Sequence, residues 1–152
     1  MNDLNIDKQR TLAGKFSVKG KGLHTGLEST VTFYPADENT GYKIRRVDLP
    51  GTPIIDAGAE NVINTNRGTV LFADGCQAGT IEHALAALYA NGIDNCLMDV
   101  NAPEFPILDG SSIEYVNKIS EKGIQEQNAH REYYIPKDTI EYFDETSNSR
   151  LI

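Results

Sequence analysis

Glu82 and His83 are the adjacent residues of this chain best suited to hydrolytic or metal chemistry. A carboxylate can act as a general base, and an imidazole is a common zinc ligand. A catalytic zinc site normally needs three protein ligands, and the position four residues after His83 is Ala87, so the local sequence supplies only one. A second interpretation stays open, in which Glu82 complements a helix dipole beside an ordinary surface histidine.

An amphipathic helix positions this pair. Its predicted buried stripe repeats at helical spacing and consists of Ile81, Ala84, Leu85, Leu88 and Tyr89. Thr80 is the expected N-cap and Asn91-Gly92 the expected stop. Glu82 and His83 lie about 100° and 200° round from Ile81 at 3.6 residues per turn. They should therefore face solvent, a cleft or another domain.

The remaining pattern predicts an α+β fold, a layered α/β sandwich. Strands are expected at residues 15–20, 28–34, 42–47, 69–72 and 96–100, with 28–34 and 42–47 forming an antiparallel pair. A capping box at Ser111–Glu114 predicts a second helix that ends at Lys122-Gly123. Its buried face is expected to contain Ile113, Val116 and Ile119.

The pattern changes near residue 124. Residues 125–130 are polar and predict a linker, residues 132–135 and 139–143 predict two strands, and residues 144–149 a mobile end. Two strands do not make a domain, so they either pair back onto the first domain or begin a second one that is cut off. We therefore expect a domain over 1–127, and over 128–152 a linker with the first strands of a truncated second domain.

Composition excludes several classes of protein. With 152 residues and a net charge of -8, the chain suits one soluble domain and is a poor binder of nucleic acid or anionic membranes. No run approaches the roughly 18 apolar residues of a membrane span, and the polar start lacks the apolar segment of a signal peptide. A cytoplasmic location is expected, with Cys76 and Cys96 as free thiols.

Six sequence blocks occur together in order. They are Gly22–Gly26, Arg45–Leu49, Ala59–Val62, Thr80–His83, Gly92–Asn95 and Pro106–Ser111. This combination, within a span from Gln9 to Asn128, resembles the amino-terminal half of the zinc-dependent UDP-3-O-acyl-N-acetylglucosamine deacetylases of lipid A synthesis. The resemblance implies one half of a pseudo-symmetric two-domain enzyme with its active site between the halves.

The resemblance also implies roles for individual residues. His83 would bind Zn²⁺, and Glu82 would be the general base that activates water for attack on the N-acetyl group of UDP-3-O-acyl-N-acetylglucosamine. The family's other two zinc ligands, a histidine and an aspartate four residues apart, belong to a carboxy-terminal domain, and nothing after His130 matches them. The chain alone is therefore expected to be inactive. The alternative is a free-standing, non-catalytic binding or regulatory domain.

Further residues are candidates for lining the substrate pocket. They are His24, in a glycine-rich turn, and the segment Asn66, Arg67, Gly68 and Thr69. Arg45-Arg46 suits either phosphate binding or a solvated strand edge, and Asp109 is expected to form a turn that leads into the second helix. Expected partners are the UDP-sugar and the missing carboxy-terminal domain, and open strand edges are expected to make the chain self-associate.

Overall fold

The computed structural model describes residues 7–133 and 135–152, which form an α+β fold. The strands in chain order are β1 (Lys8–Leu12), β2 (Phe16–Lys21), β3 (Glu28–Pro35), β4 (Tyr42–Arg46), β5 (Ile54–Asp56), β6 (Val62–Asn64), β7 (Val70–Ala73), β8 (Cys76–Gly79), β9 (Cys96–Val100), β10 (Ile124–His130), β11 (Tyr142–Asp144) and β12 (Ser149–Leu151). The helices are α1 (Glu82–Ala90) and α2 (Ile113–Lys122), with a short 3-10 helix at Ala59–Asn61. The first five strands predicted from the sequence are confirmed as β2, β3, β4, β7 and β9.

A five-stranded sheet in the order β2-β3-β9-β4-β5 is the framework of the fold. β9 lies antiparallel to β3 and parallel to β4, so it separates the two strands that were predicted to pair. The predicted pairing of residues 28–34 with 42–47 is therefore wrong, because β3 pairs with β2 and β4 with β5. Cys96, Met98 and Val100 of β9 are fully buried, because they lie on the face of the sheet that belongs to the apolar core.

The helices and one face of this sheet share a single apolar core. Phe16 and Phe33 stack with their ring centroids 4.6 Å apart, and the Tyr115 ring of α2 meets Phe33 edge-on at 5.8 Å. Thr30 and Thr32 alternate with the buried residues of β3 and are only half-buried. Full burial of one large apolar side chain contributes about 1.5–3 kcal/mol, so this core is the main source of stability.

The start of α1 differs from its prediction. Ile81 occupies the N-cap position, and Thr80 precedes it with a φ of 55°. The predicted Thr80 cap is wrong, because the Thr80 hydroxyl donates to Glu104 and not to the helix backbone. Tyr89 was predicted to be buried but is 81% exposed. Helix α1 instead buries Ala87, together with Ala84 and Leu88.

Helix α2 begins without the predicted capping box. Ser112 is the N-cap residue, but its hydroxyl donates to the carbonyl of His83 in α1. Ile113, predicted to be buried, is 51% exposed, and Tyr115 takes its place in the core with Ile119. The predicted helix ends are confirmed by the left-handed glycines that follow α1 and α2, with φ values of 68° and 83°.

The polar segment after α2 is a strand, so the predicted linker at 125–130 is wrong. β10 pairs antiparallel with β1. A cluster of neutral side chains, Gln9, Asn39, Asn95 and Gln127, which we call the amide cluster, joins this pair to the rest of the fold. The Asn95 amide nitrogen donates to the side-chain oxygens of Gln9 and Gln127, both at 2.8 Å, and that of Gln9 donates to Asn39 at 2.7 Å.

Residues 131–152 also depart from the predicted pattern. The strand predicted at 132–135 is absent from residues 132, 133 and 135, and residue 134 lies outside the described part of the chain. The strand predicted at 139–143 is reduced to β11, which forms an antiparallel hairpin with β12. The predicted mobile end at 144–149 carries the turn of this hairpin, in which the Thr146 N–H donates to Asp144 at 2.9 Å.

Both cysteines are buried and free, as predicted. Burial raises the pKa of the Cys96 thiol to about 12, which keeps this sulfur protonated and unreactive at neutral pH. In the part of the chain that the structure describes, neither α-helix has the length and apolar character needed to cross a membrane.

Candidate functional site

The first turn of α1 presents Glu82 and His83 away from the fully buried face of the helix, and both residues are half-buried. The Glu82 carboxylate accepts a hydrogen bond from the Thr69 N–H at 3.0 Å. The backbone carbonyl of His83 accepts the Ser112 hydroxyl at 2.9 Å, which joins the start of α1 to the start of α2. The pair is therefore fixed through its backbone and through the Glu82 carboxylate.

The segment from residue 66 to residue 69 connects Glu82 to His24. His24 Nε2 lies 3.1 Å from the Arg67 carbonyl, and because a carbonyl only accepts, this hydrogen bond requires the proton on Nε2. A side chain at Gly68 would place its Cβ 3.4 Å from Glu82 Oε1 and 3.6 Å from His24 Nε2. Glycine at this position therefore keeps open the space between the carboxylate and the imidazole.

Glu104 is a site residue that the sequence analysis missed. It is only 3% exposed, and its carboxylate accepts hydrogen bonds from three other residues, with which it forms what we call the Glu104 cluster. The donors are the His24 N–H at 3.0 Å, the Thr25 N–H at 2.8 Å, the Thr25 hydroxyl at 2.7 Å and the Thr80 hydroxyl at 2.8 Å. One buried charge thus joins the His24 loop to Thr80, the residue just before the N-cap of α1.

These hydrogen bonds keep Glu104 ionised. Burial by itself would raise the pKa of Glu104, but the donors on His24, Thr25 and Thr80 outweigh burial and lower the pKa to about 2. Gly22 allows the close approach of this carboxylate, because a Cβ there would lie 2.3 Å from Glu104 Oε2. Glycine at position 22 of the His24 loop is therefore required by packing.

A pocket of about 110 Å³ lies beside the Glu104 cluster. Its lining residues are His24, Thr25, Asn66, Gly68, Val70, Gln77, Gly79, Thr80, Pro103 and Glu104. Three of the predicted pocket residues thus line it. Arg67 and Thr69 do not line it and instead take part through the Arg67 carbonyl and the Thr69 N–H. Glu82 and His83 do not line it either, but Glu82 borders it at Gly68.

The described residues do not by themselves complete a metal site. Within residues 7–133 and 135–152, no three His, Cys, Asp or Glu side chains converge closely enough to hold an ion. Asp109 has a lowered pKa, chiefly because it accepts the Ser111 N–H and hydroxyl, with a smaller contribution from the nearby His83 imidazole. Its role as a turn that leads into α2 is confirmed by these Ser111 hydrogen bonds.

Neither interpretation of Arg45-Arg46 holds. Arg45 forms a two-bonded ion pair with Asp99, at 2.7 and 2.8 Å. Arg46 is 5% exposed and pairs in the same way with Asp48, at 2.9 and 2.7 Å. Both guanidinium groups are thus occupied by carboxylates of the chain, and β4 is an interior strand and not a solvated edge.

The chain matches the family model of UDP-3-O-acyl N-acetylglycosamine deacetylase over residues 9–152. It is 58% identical over 145 residues to the bifunctional enzyme LpxC/FabZ of Bacteroides thetaiotaomicron, which covers 95% of this chain and 32% of that protein. The corresponding protein of Porphyromonas gingivalis is 58% identical over 147 residues, covering 97% of this chain and 32% of the relative.

A shorter relative shows the same similarity. The UDP-3-O-acyl-N-acetylglucosamine deacetylase of Citrifermentans bemidjiense is 39% identical over 144 residues, which are 95% of this chain and 47% of that enzyme. The chain therefore spans about a third of the length of the two bifunctional relatives and about half that of the deacetylase.

Proposed function

Because the chain belongs to the UDP-3-O-acyl N-acetylglycosamine deacetylase family, we propose that it is the amino-terminal part of an enzyme that removes the N-acetyl group from UDP-3-O-acyl-N-acetylglucosamine. The reaction is an amide hydrolysis that releases acetate and leaves a free amine, as a step of lipid A synthesis. The observation that carries the proposal is the Glu82-His83 pair at the start of α1, with the Glu82 carboxylate held by the Thr69 N–H at the border of a pocket.

Glu82 is the general base of the proposed reaction. The Thr69 N–H holds one carboxylate oxygen, Oε2, and the other faces the space beside Gly68. A water molecule in that space could transfer its proton to Glu82 as it attacks the amide carbonyl. General base catalysis by a positioned side chain contributes about 10²–10⁴-fold to the rate.

His83 supplies one ligand of the zinc site that we propose for the complete enzyme. Zinc would contribute Lewis acidity, which makes water more acidic and polarises the amide carbonyl. Since catalytic zinc sites usually have three protein ligands, we assign the other two to sequence outside this chain. This chain alone should therefore show no measurable deacetylation and no sub-micromolar zinc affinity.

The remaining parts of the proposal concern the substrate and the partner domain. His24, Asn66 and Gly68 line the pocket, and we propose that they contact the substrate together with Arg67 and Thr69. Residues 1–127 would form the amino-terminal domain of a cytoplasmic, pseudo-symmetric enzyme. Residues 128–152 would lead into its second domain, which would cover one side of the active site.

The direct test compares the complete enzyme with this chain alone, both purified and shown to be folded by circular dichroism. Acetate release from the UDP-sugar should be robust and sensitive to chelators in the complete enzyme and absent for residues 1–152. Chelator-sensitive turnover by this chain alone would contradict the assignment of the missing ligands. A complete protein without deacetylase activity would instead favour a non-catalytic binding domain.

Self-association of the isolated chain is a further part of the proposal. Tyr142, Phe143 and Leu151 of the β11–β12 hairpin are 62%, 52% and 71% exposed, and the hairpin forms a two-stranded sheet of its own. Exposed apolar strands recruit other strands. Light scattering should therefore show a mass that rises with concentration, and a strict monomer over a wide concentration range would count against this part.

A further inference from the structure

Glu104 connects two segments that are far apart in the sequence and that both bear on the proposed active site. One is the glycine-rich loop between β2 and β3, whose His24 and Thr25 N–H groups donate to the carboxylate. The other is Thr80, which immediately precedes the N-cap of α1 and donates through its hydroxyl. One oxygen, Oε1, accepts from the His24 N–H and from the Thr80 hydroxyl. A displacement of either segment would therefore move the carboxylate and, with it, the other segment.

The Glu104 carboxylate provides much of the contact that holds this loop in place. His24 and Thr25 are exposed residues, as are Leu23 and Leu27 on either side, at 58% and 52%. The backbone hydrogen bonds at the base of the loop, between Gly22 and Leu27, close the turn without holding the His24 ring in place. Three hydrogen bonds from the loop to Glu104 tie it to the body of the protein, and the His24 ring then reaches the Arg67 carbonyl.

Thr80 shows that the second segment is also constrained. A φ of 55° is unfavourable for a β-branched residue, and such a conformation persists only where surrounding contacts impose it. The Thr80 hydroxyl is buried and donates to Glu104 at 2.8 Å. Two residues later, α1 begins with Glu82, so the conformation of Thr80 sets the direction in which the Glu82 side chain leaves the backbone.

Gly68 marks the place where these constraints meet. A Cβ at this glycine would lie within 4 Å of three polar atoms: Glu82 Oε1, His24 Nε2 and Thr80 Oγ1. Each of the three belongs to, or lies next to, a segment that is joined to Glu104. The relative position of the Glu82 carboxylate and the His24 imidazole therefore depends on Glu104, which is itself buried.

We propose that Glu104 is a positioning residue that sets the geometry between Glu82 and the His24 loop. The role rests on the proposed function, since it concerns the orientation of the proposed general base and a pocket wall. It does not require Glu104 to touch substrate. The carboxylate is charged at neutral pH, so the loop and the start of α1 keep their hydrogen bonds to it.

The test uses three variants of the complete enzyme. Glu104→Gln keeps the size of the side chain but removes the charge and one acceptor oxygen. Gly22→Ala leaves Glu104 intact and displaces its carboxylate, because the new Cβ would lie 2.3 Å from Oε2. Asp94→Asn is the matched control: Asp94 accepts the Arg10 N–H at 2.8 Å and pairs with Arg131 beyond the far end of α1.

Glu104→Gln and Gly22→Ala should show the same kinetic change. We expect kcat per bound zinc to fall by about 10²-fold, the loss that follows from misplacing a reacting group by about 1 Å. KM should rise as well, because the His24 wall of the pocket moves. Asp94→Asn should keep the kcat and KM of the unmodified enzyme even if it is less stable. A purely structural role for Glu104 would leave KM and the kcat per bound zinc unchanged.

A second readout does not depend on activity. In ¹⁵N-histidine NMR spectra of the complete enzyme, His24 should show a fixed proton on Nε2, and both variants should convert it to a mixture of tautomers. If Glu82→Gln is inactive while Glu104→Gln retains normal kcat, KM and His24 shifts, the positioning role is wrong and the proposed function stands. If the unmodified complete enzyme does not deacetylate, the proposed function fails, and the His24 shifts still decide whether Glu104 fixes the loop.

Discussion

Two clusters of polar side chains, each with a buried centre, join distant segments of this chain, and they differ in charge and in the type of residue that takes a positive φ. The amide cluster is neutral, and its members satisfy one another: Asn95 donates to Gln9 and Gln127 and also accepts the Gly41 N–H at 2.9 Å. The Glu104 cluster places a full charge in a buried position and holds Thr80 at a φ of 55°. The positive φ of the amide cluster, 62°, belongs to Asn39, and asparagine adopts this region more readily than a β-branched threonine does.

This difference indicates a structural role for the amide cluster and a functional role for the Glu104 cluster. Neutral amides that pair with each other, of which Gln9 and Asn95 are buried, can hold β1 and β10 against the sheet without a charge to compensate. A buried carboxylate needs several donors before its charge is tolerated, and strained residues concentrate at active sites. Of the two clusters, the charged one, whose positive φ belongs to a β-branched residue, lies beside Glu82. We therefore expect the amide cluster to govern stability and the Glu104 cluster to govern both stability and catalysis.

The largest expected effect on stability is at the centre of the amide cluster. Asn95→Ala removes three hydrogen bonds from a residue that is 2% exposed, so the free energy of unfolding should fall by about 3 kcal/mol, at about 1 kcal/mol for each bond. Urea unfolding measures this. Asn91→Ala, which removes one side-chain bond to the Ala87 carbonyl, is the control and should cost about 1 kcal/mol. Equal losses in the two variants would contradict a central role for Asn95.

The pH dependence of stability tests the charged cluster. The folded-state pKa of Glu104 is about 2, below its ordinary value of 4.5, so its contribution is complete above pH 4.5 and is lost as the pH falls towards 2. The gap in unfolding free energy between the unmodified chain and Glu104→Gln should narrow by about 2 kcal/mol from pH 7 to pH 3.

The control for this measurement is Glu114→Gln, which changes an exposed carboxylate on α2. The difference in unfolding free energy between Glu114→Gln and the unmodified chain should change little over the same pH range. If the Glu104→Gln gap stays constant between pH 7 and pH 3, the buried carboxylate does not contribute through its charge, and the contrast between the two clusters disappears.

The smallest expected effect comes from backbone strain at the border of the site. Arg67 has a φ of 62° and an exposed side chain. Relief of a left-handed L-residue by glycine gains about 1–2 kcal/mol, and the added freedom of the unfolded chain offsets about 0.5–1 kcal/mol. Arg67→Gly should therefore raise the unfolding free energy by about 0.5 kcal/mol, measured by urea unfolding. Arg67→Ala keeps the Cβ and should show no gain.

The apolar pattern predicted much of the fold, because alternating or helical spacing reports directly on burial. The positions of α1, α2 and the strands from β2 to β9 that carry such a pattern followed from it. β10 did not, because its seven residues are mostly polar and exposed and show no apolar alternation. Its strand conformation comes from pairing with β1 and from the amide cluster, and these are long-range contacts.

The candidate site was predictable only in part, for a related reason. Glu82 and His83 are adjacent in the sequence, so their shared position on α1 follows from local helix geometry. Glu104 accepts hydrogen bonds from residues 24, 25 and 80, and the sequence around Glu104 does not indicate these distant donors. A usable signal was present: Glu104 is the one charged residue between Ala102 and Leu108, and a charge within an apolar segment needs buried partners.

The central claim is that Glu82 and His83 have different roles, and one paired measurement on the complete enzyme tests it most directly. Turnover and bound zinc are measured together for Glu82→Gln and His83→Ala. Glu82→Gln removes the proton acceptor while keeping its size, so turnover should fall by about 10²–10⁴-fold with near-normal zinc content. His83→Ala should lose zinc and with it nearly all activity. Normal turnover in Glu82→Gln, or full zinc retention in His83→Ala, would contradict the assignment.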